Sequence, residues 1–164
     1  MRTIALALVA VSATACVSLP PPTSYYDRPT EALLLAGNWQ GDFSSLDGHR
    51  GGGLTLALEV RDDTARGPVV MAPVVYVAAP EGASVPMRAE PRPVLRSPVQ
   101  FVSVTDGVVT GVLPAFFDTE RLVTVQMMFV GRLRSWNVIE GTYVALGPSL
   151  RIEEVGTWRV VRGK

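Results

Sequence analysis

The stretch LTLALEV, residues 54–60, alternates with period two: Leu54, Leu56, Leu58 and Val60 fall on one side, Thr55, Ala57 and Glu59 on the other. Successive side chains of an extended strand point to opposite faces, so the pattern predicts a strand in a sheet with one buried face. VTVQMMF, residues 123–129, repeats it, with Val123, Val125, Met127 and Phe129 sharing a face. Asp106-Gly107 lies between two β-rich runs and predicts a tight hairpin there.

Working outward, runs bounded by turn residues predict eight strands, near 38–45, 53–61, 67–78, 98–105, 108–117, 121–134, 136–146 and 150–162. Only residues 79–97 form a long connection. The expected fold class is all-β, an eight-stranded antiparallel up-and-down β-barrel, which removes exposed edges. A β-sandwich is the alternative, because it shares short, regularly punctuated strands. Ahead of the first strand, TEALLLAG (residues 30–37) offers Thr30 as a cap, Glu31 for the positive helix start and Gly37 as a stop. It predicts a short helical turn over residues 31–36.

Residues 1–16 read MRTIALALVAVSATAC. A charged start, a short apolar run and small residues at its end describe a secretory signal over residues 1–15. The run is too short for a membrane-spanning helix, which needs about 20 apolar residues. Ala13-Thr14-Ala15 suits ordinary signal peptidase, which would leave Cys16 as a free thiol. The same residues resemble the bacterial lipobox, in which small residues precede a cysteine that receives diacylglycerol. Cys16 is the only cysteine, and a lone thiol in an oxidising compartment has no partner, which favours lipidation. The resemblance implies a triacylated Cys16, and Val17 in place of Asp implies the outer membrane of a bacterial envelope, facing the periplasm. Residues 16–30, with Pro20-Pro21-Pro22, then read as a tether that holds a domain, residues 31–164, off the bilayer. The chain has 15 basic and 15 acidic side chains, a balance that leaves no electrostatic footprint for nucleic acid.

Gly37-Asn38-Trp39, just after the predicted turn and at the start of the first strand, resembles the G-x-W signature of the calycin superfamily, which includes lipocalins and avidins. GTYVALGPSLRIEEVGTWRVV, residues 141–161, is similar to the last two strands of such barrels, where Gly-x-aromatic repeats. The resemblance implies a barrel whose end is closed by the helical turn and plugged by Trp39. An arginine of the last strand, Arg159 or Arg162, would pack over the ring. The physical reading agrees: a barrel end exposes apolar side chains unless something large covers it, and a stacked arginine adds a cation–π attraction.

The inward-facing set is expected to be Trp39, Phe43, Leu54, Leu56, Leu58, Val60, Val123, Val125, Met127, Phe129, Ile139, Tyr143, Trp158 and Val160. Eight-stranded barrels are either filled by side chains or hold one small ligand. A cavity, if present, would be lined by Phe43, Leu56, Leu58, Val125, Met127, Phe129, Tyr143 and Trp158. It would suit a small hydrophobic molecule and reject charged ones. Residues 79–97 are expected either to lie over the mouth as a lid, through Met87, Val94 and Leu95, or to form a surface excursion. Met128 and Val130, apolar on the outer side of their strand, are expected either to be covered by residues 79–97 or the N-terminal turn or, if bare, to mark a protein or membrane contact.

Little points to catalysis. His49, the only histidine, shares a turn with Asp47, and one histidine with one aspartate makes a thin metal site and implies no nucleophile. HRGGG, residues 49–53, lacks a phosphate-binding lysine and leads into a strand. Asp62-Asp63 and Glu153-Glu154 read as solvated charges. The sequence thus predicts a non-enzymatic lipoprotein with no metal and no cofactor. Its partners would be a membrane, through the anchor, and either a small hydrophobic ligand inside or an envelope protein outside.

Overall fold

The computed structural model describes residues 31–61, 64–79, 81 and 87–163, with the backbone alone at 100–103. The signal, Cys16, the tether and Asp62-Asp63 lie outside these residues. A 3-10 turn, Glu31–Leu35, leads into β1 (Gly37–Ser45), β2 (Arg50–Arg61), β3 (Thr64–Ala78), β4 (Met87–Pro91) and β5 (Leu95–Thr105). Then follow β6 (Val108–Asp118), β7 (Val123–Ser135), β8 (Val138–Leu146) and, after a second 3-10 turn, β9 (Ile152–Arg162).

All pairings are antiparallel, within one sheet ordered β2-β1-β9-β8-β7-β6-β5-β3-β4. A single sheet replaces the two of a sandwich. β2, at one end of that order, also pairs with β3, from Arg50↔Val75 to Arg61↔Thr64. The sheet therefore rolls round one inner face. Among the described residues there are nine strands, not eight. The extra one, β4, falls in residues 79–97: its five residues pair with Val74–Ala78 at the far end of β3. Pro91 ends β4 and Pro93 lies beyond it, positions that ask for no interior ladder donor.

The alternation holds in space. Leu54, Leu56 and Leu58 are buried, as are Val125, Met127, Phe129, Ile139, Tyr143, Trp158 and Val160, while Val60 and Val123 are half-buried. Bulges interrupt the register between Leu113 and Phe116 and between Leu133 and Ser135. After the first, Phe116 and Asp118 take the inner side that Val109, Gly111 and Leu113 hold before it.

The two Gly-Thr-aromatic triplets, Gly141–Tyr143 and Gly156–Trp158, face one another reciprocally, Gly141↔Trp158 and Tyr143↔Gly156. Tyr143 thus crosses Gly156 on the neighbouring strand, while Trp158 reaches past β8 to Gly131 on β7. A methyl group on Gly156 would lie 2.3 Å from the Tyr143 ring, and one on Gly131 would lie 2.6 Å from Trp158. The glycines make room for the large rings.

Candidate functional site

The two ends of the rolled sheet differ. At the first, the 3-10 turn lies across the opening with Ala32 and Leu35 buried. Trp39 is 1% exposed and its Nε1 donates to the Leu35 carbonyl at 2.8 Å. The Arg162 guanidinium stacks on the Trp39 ring, 4.3 Å from its centroid. It also donates to the carbonyls of Ala36 and Leu34 from its two Nη atoms, and to Trp136 from Nε at 3.2 Å. One arginine thus holds the ring and satisfies carbonyls of the short turn that have no partner within it. Arg159 is on the outer face, 4.0 Å from Glu140, and does not touch Trp39.

The middle is filled. Phe129 meets Trp158 edge-on at 5.9 Å and Phe43 meets Tyr143 edge-on at 6.1 Å. The space left among Leu54, Leu56, Val99, Phe129 and Trp158 is about 10 Å³, hardly room for one water.

The opposite end opens into a cavity of about 200 Å³. Phe43, Met71, Val125, Met127 and Ala145 give it an apolar floor, and the Pro93–Leu95 linker and Phe116–Arg121 form walls. Of the expected cavity residues, Phe43, Val125 and Met127 line it; Leu56, Phe129 and Trp158 belong to the packed middle, and Leu58 lies near the plugged end, opposite Gly37. Val94 and Leu95 reach the cavity wall, whereas Met87 is exposed on β4.

A charged quartet lines the same mouth. Arg50 Nη1 lies 2.8 Å from Asp118 Oδ2 and 3.5 Å from Glu154 Oε2. Arg121 bridges the same two carboxylates, with Nη1 2.9 Å from Asp118 and Nη2 on Glu154. The Tyr143 hydroxyl donates to the other Glu154 oxygen. Asp118 also accepts from the Glu120 and Arg121 backbone N–H groups at 2.9 and 3.3 Å. Two guanidinium groups and two carboxylates leave the quartet neutral, and both carboxylate side chains are almost wholly buried.

Burial opposes the Asp118 charge, but the hydrogen bond and charge of Arg50 outweigh it and hold the carboxyl below its ordinary pKa. Burial and the adjoining Glu154 push the Tyr143 phenol up, so it stays a neutral donor. Burial works against the Arg121 charge too, and Glu154 more than restores it. Arg50 Nε is buried without a hydrogen-bond partner.

The quartet has no counterpart among the sequence expectations, in which Glu153-Glu154 are solvated charges. Glu154 is buried. Counting back by twos from Trp158 through Gly156 puts residue 154 inside, and the same count from Leu54 through Gly52 puts Arg50 inside. The bulge after Leu113 hides the parity of Asp118 from any such count. His49 is exposed in the β1–β2 turn and does not line the cavity; its backbone N–H donates to Asp47 at 3.0 Å. Among the described residues, no group of three or more His, Cys, Asp or Glu is placed to hold a metal ion. Met128 and Val130 stay exposed on the outer face of β7.

No family model matches the chain, and no curated protein does. Among solved structures it is similar to a de novo designed fluorescence-activating β-barrel at 11% identity, covering 83% of this chain and 100% of that one, with a TM-score of 0.49. It is also similar to the redesigned β-barrel mFAP1, solved bound to DFHBI, at 14% identity, covering 81% and 99%, with a TM-score of 0.49. These are likenesses of chain outline.

Proposed function

We propose that this chain is a non-catalytic binding protein of the bacterial envelope, a calycin-like barrel that takes a small hydrophobic molecule at its open end. The observation that carries this reading is the contrast between the ends. Trp39 and Arg162 plug one, while the other leads to a 200 Å³ space with an apolar floor. That space is small beside the roughly 300–1,000 Å³ of ordinary ligand pockets. It accepts a short chain or a single ring, with the rest of the molecule outside. The neutral quartet supplies hydrogen bonds for a polar head at the wall without demanding a charged one.

Native mass spectrometry of the secreted Cys16→Ser chain tests this. A bound hydrophobic adduct is expected, and it should disappear in Met127→Trp, where the larger side chain fills the floor. A chain that never carries an adduct, and binds no apolar dye that Met127→Trp excludes, removes the ligand from the reading.

The lipobox-like stretch supports anchoring through Cys16 to the outer membrane, where each buried CH₂ adds about 0.8 kcal/mol of membrane affinity. The mass of the mature N-terminal peptide checks this: an acylated Cys16 is expected, and an unmodified one refutes the anchor.

A further inference from the structure

Beyond holding a ligand, the open mouth carries an apolar rim. Leu46 in the β1–β2 turn, Val94 before β5, Phe117 and Leu122 flanking the β6–β7 turn, and Leu150 and Ile152 between β8 and β9 are all exposed. They come from separate segments of the chain and meet at the same end as the cavity, whose walls include Val94 and Phe117. Solvent exposure is not their only liability. Leu122 and Leu150 are 73% and 74% exposed and sit at φ +57° and +61°. That left-handed region suits Gly or Asn and strains a branched side chain. Two leucines held outward in strained backbone, where Asn would be both easier and better hydrated, mark a surface that does something.

We infer that this rim docks on a lipid bilayer, so that the cavity opens towards the membrane. The inference rests on the reading in which Cys16 carries lipid. The reach of the chain is then sufficient for a bilayer. The fourteen residues 17–30 extend to roughly 45 Å at ~3.3 Å each. β1 has nine residues, so the sheet is about 30 Å from end to end at that strand. A tether starting beside the plugged end is long enough to let the far mouth touch the bilayer that holds its lipid. Leu33, Leu34 and Trp136 are also exposed, at the plugged end where the described residues begin; none of them lines the cavity.

Co-sedimentation with vesicles of phosphatidylethanolamine and phosphatidylglycerol tests the inference. The protein is the secreted Cys16→Ser chain, so the outcome does not depend on acylation. It should pellet with the vesicles. The double variant Leu122→Asn, Leu150→Asn should partition roughly tenfold less or weaker still, with a melting temperature no lower than that of the parent. A parent chain that stays in the supernatant overturns the inference, as does a double variant that pellets equally well. So does a concentration-dependent dimer that the double variant abolishes without any vesicle binding, which would give the rim to a second copy. Ligand adducts are measured without vesicles and lipidation on the N-terminal peptide, so failure of either reading is separable from failure of this one.

Discussion

Arg162 shows how much one side chain can settle. Its guanidinium covers the Trp39 ring and donates to three carbonyls, one in the turn that closes the end and one just after it. Lysine has neither the planar fork nor the stacking face. Arg162→Ala is therefore expected to lower stability by about 2 kcal/mol, and Arg162→Lys to recover little of it, as measured by urea denaturation. Arg159→Ala, on the outer face beside Glu140, should change it by less than about 0.5 kcal/mol. The choice between these arginines was only partly legible in the sequence. Parity from Trp158 and Val160 places Arg162 inside and Arg159 outside, but the reach of a long side chain back over Trp39 is a matter of register. Arg50 and Glu154 were legible by the same count, and were passed over because charged residues are so rarely buried unless paired. Their partner Asp118 sits beyond a bulge, where counting fails.

At the scale of elements, period-two alternation located eight strands to within a few residues of their ends, because one apolar face per strand must be buried. β4 escaped since it has no buried face: Met87, Arg88 and Ala89 are all exposed, and only ladder pairing to β3 makes it a strand. The reciprocal Gly-Thr-aromatic triplets were visible as a repeat, and their meaning came from the register that opposes Gly156 to Tyr143. A Cβ at Gly156 collides with both that ring and the Ser44 carbonyl, at 2.3 Å each. Backbone cannot yield as a flexible side chain does, so Gly156→Ala should cost about 1–3 kcal/mol. It should also move Tyr143 off Glu154, seen as a shift in the tyrosine ring resonances. An unchanged melting curve would show that β8 and β9 separate more easily than their packing implies.

For the molecule as a whole, acid is the natural stress. Asp118 has a folded pKa below its ordinary 3.8, so the unfolded chain binds its proton more readily than the folded one. The stability this contributes is fully present above about pH 4 and drains away as the pH falls through the folded pKa. Melting temperatures followed from roughly pH 6 to 2 should fall less steeply for Asp118→Asn than for the parent over that acid range. The variant should start lower at neutral pH, by about 3 kcal/mol or more, because Arg50 and Arg121 lose a buried partner. Equal slopes for the two proteins would place the acid sensitivity elsewhere.

The adjacency of β1 and β9, paired from Trp39↔Arg162 to Ser45↔Gly156, has a bearing on how the chain comes into being. β1 waits for β9, so vectorial synthesis cannot complete the sheet until β9 has emerged. Until β9 arrives, β1 offers an unsatisfied backbone edge to whatever is near. Termination ahead of β9 would therefore yield sticky fragments rather than a slightly weakened protein.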